Sequence, residues 1–498
     1  MLNNRASGIL LHPTSLPGPY GIGDLGGQAF EWVNFLQTAG CRYWQILPLG
    51  PTGYGDSPYQ CFSAFAGNPY LINPEPLFGI NILSGQDISN LPDFSNSKVE
   101  YGRVIQWKLY MLKIAYERYI NGSFPDLDIQ IARFIQDEEF WLQDYAVFMT
   151  IKENYQNQPW NLWPDPLRFH QEQALKRFIS EHLYEIKRHI FEQFIFSQQW
   201  GNLRRFANEK GIQIIGDIPI YVSYDSADCW AHPELFMFDE NRLPTSVGGT
   251  PPDLFSNTGQ LWGNPIYRWE IHNKTGYRWW IERFKSSLKN IDYARLDHFR
   301  GFGGYWDVPA GEPTAINGVW KDGPGIKFLL AIQKALGDLP IIAEDLGEIT
   351  QDVFVLRDLF NLPGMKVLHF AFYGSPDDSF FPHNYDKNFV AYTGTHDNDT
   401  AVGWLEITSP EARQNCLRYL HSDGQDIAWD MIRAIWASAA AISIAPLQDF
   451  LSLGNEARMN FPGRSDGNWD WRVDPKDINQ DLANKIREIN YTYARLNK

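Results

Sequence analysis

Four carboxylates in this chain each stand at the end of a short apolar run. Asp217 follows Ile214, Ile215 and Gly216; Asp297 follows Tyr293, Ala294, Arg295 and Leu296; Glu344 follows Ile341, Ile342 and Ala343; Asp397 closes the run that begins at Asn388. His298 and His396 flank two of them, and Arg295 lies two residues before Asp297. In an extended strand, alternate side chains share a face. Tyr293, Arg295 and Asp297 therefore point one way, Ala294 and Leu296 the other. A charged face opposite a small apolar one suits a parallel barrel strand rising into an active site. It equally suits a surface strand tip carrying an ion pair. Any one of the acids, taken alone, could cap a helix or sit in a solvated turn. Four in succession, with no thiol nucleophile, phosphate loop or metal-ligand cluster, point to glycosidic bond chemistry.

Groups of this kind need strands that deliver them to one rim. Ser7 to Leu11 reads as a strand, Gly27 to Gly40 as a helix and Tyr43 to Leu49 as a second strand, which is a βα repeat. Gly50 to Asn68 is a loop dense in Gly, Pro and Tyr, and Tyr101 to Gly211 is mostly helical. Gly211 to Asp217 is strand three, and the stretch from Asp292 to Asp297 is strand four. Pro340 to Glu344, Met365 to Phe370, Asn388 to Asp397 and Ile442 to Leu447 complete the set, with helical patterns between them. Eight strands alternating with helices is the count of a (β/α)8 TIM barrel. The expected architecture is a single catalytic barrel over 1–498 with large, mainly helical insertions at the C-terminal rim. These fall at about 52–205, between strands two and three, and 223–290, between strands three and four. The last segment, Leu482 to Leu496, is helix-like, so no C-terminal β-sandwich domain is expected.

Composition bounds the partners. The 498 residues carry a net charge of −16 with no long Lys/Arg run, which argues against nucleic acid. The four cysteines, at 41, 61, 229 and 416, form no C-x-x-C pair, as expected of reduced thiols in a cytoplasmic protein. Met1 to Leu11 lacks a signal-peptide pattern, and the longest apolar run, Ala434 to Leu447, is too short to span a bilayer. Aromatic residues make up 15% of the chain, including 19 Trp. Most belong to the core, but aromatic rings also stack on the C–H faces of sugars, which modestly favours a carbohydrate ligand.

Six stretches in order bring a family into view: Gly50-Pro-Thr-Gly-Tyr-Gly-Asp-Ser-Pro-Tyr59, Gly216-Asp-Ile-Pro-Ile-Tyr-Val222, Ala294-Arg-Leu-Asp-His-Phe-Arg-Gly301, Ile342-Ala-Glu-Asp-Leu-Gly347, Thr393-Gly-Thr-His-Asp-Asn-Asp-Thr400 and Met459-Asn-Phe-Pro-Gly463. With these the chain resembles the amylomaltases, the 4-α-glucanotransferases or disproportionating enzymes of glycoside hydrolase family 77, in the α-amylase clan. The resemblance implies Asp297 as nucleophile, Glu344 as general acid/base, and Asp397 as the third carboxylate, gripping hydroxyls of the reacting sugar. It implies Arg295, His396 and His298 as binding residues and a supporting role for Asp217, which could orient Arg295. Tyr59 resembles a donor-side platform, and Tyr54 and Tyr101 a secondary glucan groove away from the chemistry. The segment from Val247 to Trp262 reads as a long, glycine-punctuated loop that overhangs the rim. It is expected to lid the cleft, with Phe255 or Trp262 stacking the acceptor glucan and Gln260 among the binding residues. The side-chain physics is compatible: Arg295 keeps charge on Asp297, and apolar neighbours favour a protonated Glu344.

The expected activity is transfer of α-1,4-glucan segments to the 4-OH of an acceptor by a retaining double displacement. Partners are then maltooligosaccharides, amylose and glucose acceptors, with no metal or organic cofactor, no nucleic acid and no membrane, in a monomer or weak homo-oligomer. Two alternatives stand beside it: an α-amylase-like hydrolase, against which the chain shows no calcium loop rich in Asp and Asn, and a non-catalytic glucan-binding protein, which would not need the strand-end acids.

Overall fold

The computed structural model describes residues 5–252, 256–347, 349–464 and 466–497. Twelve strands occur in it: β1 (Ala6–Leu10), β2 (Tyr43–Gln45), β3 (Gln213–Ile218), β4 (Ser246–Thr250), β5 (Gln260–Pro265), β6 (Tyr293–Leu296), β7 (Gly304–Pro309), β8 (Val319–Asp322), β9 (Ile341–Ala343), β10 (Gly364–Val367), β11 (Phe389–Tyr392) and β12 (Ile442–Pro446). Eight of them form one parallel sheet in the order β10-β11-β12-β1-β2-β3-β6-β9. The Ala343 N–H donates to Pro363 O at 2.8 Å, linking β9 to the start of β10 and drawing the two ends of the sheet together. The architecture is a (β/α)8 barrel. Its strands are buried on both faces, against the barrel interior and against surrounding helices, so apolar runs rather than alternation mark them.

Side chains fill the interior. Tyr392 in β11 donates its hydroxyl to Gln45 Oε1 of β2 at 2.9 Å, both groups buried. At the foot of β6, Asp292 accepts from the Ile214 N–H at 2.8 Å and from Arg204 at 2.7 Å, which ties that strand to the long helix Leu183–Glu209. The last helix, Gln480–Thr492, returns to the barrel floor. Just beyond it, the buried guanidinium of Arg495 donates to carbonyls of Ala6, Trp436 and Ala440, among others, and so closes the end opposite the rim.

Helices of the segment between β2 and β3 include Tyr101–Asn121, Pro125–Asp137 and Leu142–Asn154. Three expectations are corrected. The segment 247–262 is not simply a loop: its described residues enter and leave as β4 and β5, the two arms of an antiparallel hairpin. With β7 and β8 they make a second, four-stranded sheet, β5-β4-β7-β8, at the rim. Its glycines, Gly248 and Gly249, masked the strand pattern; a Cβ on Gly248 would lie 2.5 Å from the Tyr221 ring, so close packing requires glycine there. Strand six ends at Val367 rather than Phe370, because the chain turns into the short helix Leu368–Ala371. Strand seven ends at Tyr392, and Asp397 lies in the loop beyond it.

Candidate active site

β3 and β6 are neighbours, with Asp217 directly opposite Arg295 in the register. That pairing puts the two side chains side by side inside the barrel mouth. Arg295 Nη1 donates to Asp217 Oδ2 at 2.6 Å and lies 2.9 Å from Asp297 Oδ1. A single nitrogen thus bridges the two carboxylates. Arg295 and Asp217 are buried, whereas 26% of the Asp297 side chain remains open to the cleft. Burial pushes the Asp217 carboxyl upward; the guanidinium opposes this, and the Tyr59 hydroxyl adds a hydrogen bond at 2.9 Å to the same Oδ2. The result is a rigid base beneath Asp297.

Glu344 follows β9, the next strand round. Its carboxylate accepts two backbone N–H bonds, from His298 at 2.7 Å and from Leu346 at 2.9 Å. Burial pushes the carboxyl up to about 7, and the charge of Asp297 adds to this, while Arg295 and the two N–H donors pull the other way. A carboxyl poised there is protonated or ionised at neutral pH with little cost either way. His298 itself is buried, and burial holds its imidazole down to about 4, so the ring is neutral at pH 7. Its Nε2 pairs with no described residue.

The third acid stands on the loop after β11. Asp449 fixes that loop from beneath: its carboxylate accepts from Thr393 Oγ1 at 2.6 Å and from the Ala401 N–H at 2.7 Å. Asp397 Oδ1 accepts from Asn460 Nδ2 at 2.6 Å, Oδ2 lies 3.2 Å from His396 Nε2, and the main-chain carbonyl accepts from Arg458 at 2.8 Å. The cleft walls take some water from this carboxyl, which works against ionisation. His396, Asn460 and Arg295 more than offset that and hold it well below the usual carboxylate range. With 46% of the side chain open to the cleft, water screens part of this field.

Aromatic rings wall the same space. Tyr59 stacks on His396 with centroids 5.1 Å apart and leans on Trp469. On the opposite side Trp262 meets His298 edge-on at 4.9 Å, and its indole N–H donates to Gln260 Oε1 at 3.2 Å. Three ionisable acids, one shared arginine and rings on two sides form a cleft for a sugar chain. Comparison with known proteins decides which kind: the family model described as 4-alpha-glucanotransferase matches residues 11–478. The chain belongs to glycoside hydrolase family 77. Its activity is accordingly 4-α-glucanotransfer. It is similar to the 4-alpha-glucanotransferase of Thermus thermophilus, 47% identical over 99% of both chains, and to that of Synechocystis, 48% identical over 99% of both. Among solved structures it is similar to the amylomaltase from Streptococcus agalactiae in complex with acarbose, 39% identical, with a TM-score of 0.95 over 99% of each chain.

In this family 77 chain the fold brings Asp217, Arg295, Asp297, His298, Glu344, His396, Asp397 and Tyr59 together, with Trp262 and Gln260 at the edge. Phe255 lies outside the described residues. Tyr54 is 76% exposed, in the turn Tyr54–Asp56. Tyr101 opens the helix Tyr101–Asn121; it is mostly buried, and its hydroxyl donates to the main-chain carbonyl of Trp469 at 2.9 Å. The residues that sequence reasoning missed are Asn460, Arg458 and Trp469. Asn460 lies within the stretch Met459 to Gly463, which carried a signal without a role; Trp469 carried none.

Proposed function

We propose that Asp297 is the nucleophile and Glu344 the acid/base of a retaining double displacement on α-1,4-glucans. The observation that carries this reading is the single Nη1 of Arg295 joining Asp217 to Asp297, beside a glutamate whose carboxyl is raised to about 7. A nucleophile must be held in line with its target, and the Arg295 guanidinium 2.9 Å away fixes the Asp297 carboxylate in place. In the first half-reaction an Asp297 oxygen attacks the anomeric carbon. The bond to the departing glucan breaks, and Glu344 gives its proton to the oxygen that leaves. In the second, ionised Glu344 takes the proton of an acceptor 4-OH, that oxygen attacks the same carbon, and the ester to Asp297 breaks.

Asp397, held by Asn460 and His396, receives the 2- and 3-hydroxyls of the reacting sugar. Ionisation suits it as an acceptor of two hydroxyl hydrogen bonds. The buried Nε2 of His298 and the edge of His396 supply further contacts to that ring. Tyr59 forms part of the donor side, and Trp262 with Gln260 borders the acceptor side. Tyr54, with its open ring, and Tyr101 form a secondary groove for a glucan held away from the chemistry. Maltooligosaccharides, amylose and glucose acceptors are the partners this reading implies. All four thiols are free, which supports a reducing, cytoplasmic compartment, and among the described residues no helix is long and apolar enough to cross a membrane.

Incubation with maltotriose alone tests the reading. Transfer yields glucose together with oligomers longer than the substrate. Glucose and maltose without longer products would mean hydrolysis, and an unchanged substrate would mean binding alone. Retention at Asp297 further predicts a trapped glycosyl ester on that residue when a donor with a good leaving group meets Glu344→Gln.

A further inference from the structure

The second sheet extends well beyond the hairpin at the cleft. Leu261 of β5, Gly249 of β4, Trp306 of β7 and Trp320 of β8 pair in one register row across it. At about 4.8 Å per strand, that row carries the rim some 14 Å from β5 to β8. Its outer end is aromatic and open. Trp320 is 42% exposed, unusual for the largest apolar side chain, and Val319 and Ile316 beside it are half exposed.

The Trp320 ring is held in place. The guanidinium of Arg300 lies 3.7 Å from its centroid, covering one face, and Trp306 meets it at 5.1 Å in an edge contact. Arg300 is itself fixed by a 3.0 Å bond to Thr350 Oγ1. These contacts also locate the ring. Arg300 lies two residues beyond His298, whose N–H holds Glu344, and Thr350 closes the loop that leaves Glu344. Trp320 therefore stands on the Glu344 side of the cleft, the side from which the departing glucan leaves and the acceptor enters.

We propose that Trp320 is a distal platform for the acceptor glucan, engaging sugar units beyond those that reach Trp262. An aromatic ring whose orientation is fixed before binding stacks on a pyranose C–H face with little ordering cost. Arg300 occupies one face and leaves the other to the sugar. The inference rests on the acid/base assignment of Glu344, which sets the acceptor side.

The test compares glucose and maltohexaose as acceptors with a saturating amylose donor. In Trp320→Leu the ratio of kcat/KM for maltohexaose to that for glucose falls about three- to tenfold, the worth of one aromatic stack. Trp320→Phe, which keeps an aromatic face, restores most of it. An unchanged ratio in the leucine variant overturns the proposal, as does an equal loss on both acceptors. A second measurement does not need the leucine variant to fold well. With 5-fluorotryptophan incorporated into Asp297→Asn, the fluorine resonance that Trp320→Phe removes shifts on titration with maltohexaose. No shift at saturation overturns the platform. The alkaline limb of the kcat/KM profile in wild type and in Glu344→Gln, measured alongside, distinguishes a failure of the Trp320 platform from a failure of the acid/base assignment.

Discussion

The backbone N–H of His298 donates to Glu344 Oε2 at 2.7 Å, at a turn in which His298 adopts a left-handed backbone, φ 50°. Such a conformation costs a non-glycine residue about 1–2 kcal/mol. Here the turn points the amide after Asp297 at the neighbouring strand's glutamate. One peptide thereby sets the spacing between the two carboxylates that must act on the same bond. Trp262 packs on the ring of the same histidine, so the rim hairpin bears on the residue that fixes Glu344.

The first prediction concerns pH. Glu344 must carry a proton when the leaving oxygen departs, and its carboxyl is raised to about 7, chiefly by burial. The donor half-reaction is then supported below that pH and lost above it. In a kcat/KM profile for a maltooligosaccharide donor, the alkaline limb falls about tenfold per unit above pH 7. Glu344→Gln removes that limb and lowers kcat by roughly 10²–10⁴-fold. A limb that persists in the glutamine variant would assign it to another group.

Asp297→Asn removes the attacking oxygen while keeping its shape. Transfer falls by at least about 10⁴-fold, and maltohexaose affinity, measured by calorimetry, stays within a few-fold of wild type. Retained turnover at more than a hundredth of the wild-type rate is incompatible with a nucleophilic role.

Asp217→Asn leaves the buried guanidinium of Arg295 with one charged partner in place of two. Removing one member of a buried ion pair costs roughly 3 kcal/mol, read as a lower midpoint in urea unfolding. Because Arg295 also steadies Asp297, kcat falls as well, with KM for the donor less affected. Tyr59→Phe, losing one hydrogen bond to the same carboxylate, costs about 1.5–3 kcal/mol.

Asn460→Ala withdraws the 2.6 Å hydrogen bond from Asp397. That carboxyl is held below its usual range by His396, Asn460 and Arg295 against the cleft's desolvation, so it is ionised across the working pH range and loses its charge only in strong acid. Without Asn460 it takes up its proton at a higher pH. The acid limb of the kcat profile moves upward, and kcat at neutral pH falls roughly tenfold. An acid limb identical to wild type would show that Asn460 does not act on Asp397.

The hairpin of β4 and β5 carries Trp262, whose ring meets His298 beside Glu344. Trimming 251–259 to a tight turn keeps the paired strands but opens the acceptor side to water. The ratio of reducing-sugar release to transfer from maltotriose should rise severalfold, and an unchanged ratio would remove the hairpin tip from any lid role.

Much of the site was legible because its chemistry is written in residue types at strand ends. The runs before Asp217, Asp297 and Glu344 are short, apolar and close to their acids, so both strand and carboxylate could be read together. Asp397 was found although its strand ends earlier, at Tyr392, because it lies in the family stretch Thr393 to Thr400; the loop itself is held by Thr395, Asn398 and Asp449. The rim sheet was invisible: Gly248, Gly249 and Gly263 break the strand pattern of β4 and β5, and β7 and β8 pair with partners far along the chain.

The amino-acid sequence by itself determined the barrel, from apolar runs and glycine-ended helices, and the family with its three acids, from six motif stretches and a carboxylate after four of the strands. Only the tertiary structure decided which groups act on those acids. Arg295 faces Asp217 because β3 and β6 are neighbours in a particular register, His298 reaches Glu344 across two strands, and Asn460 meets Asp397 from a distant segment. Those contacts arise from strand order and closure of the sheet, and nothing in the spacing along the chain encodes them. The same holds for the hydroxyl of Tyr101, which the packed chain brings to the main-chain carbonyl of Trp469.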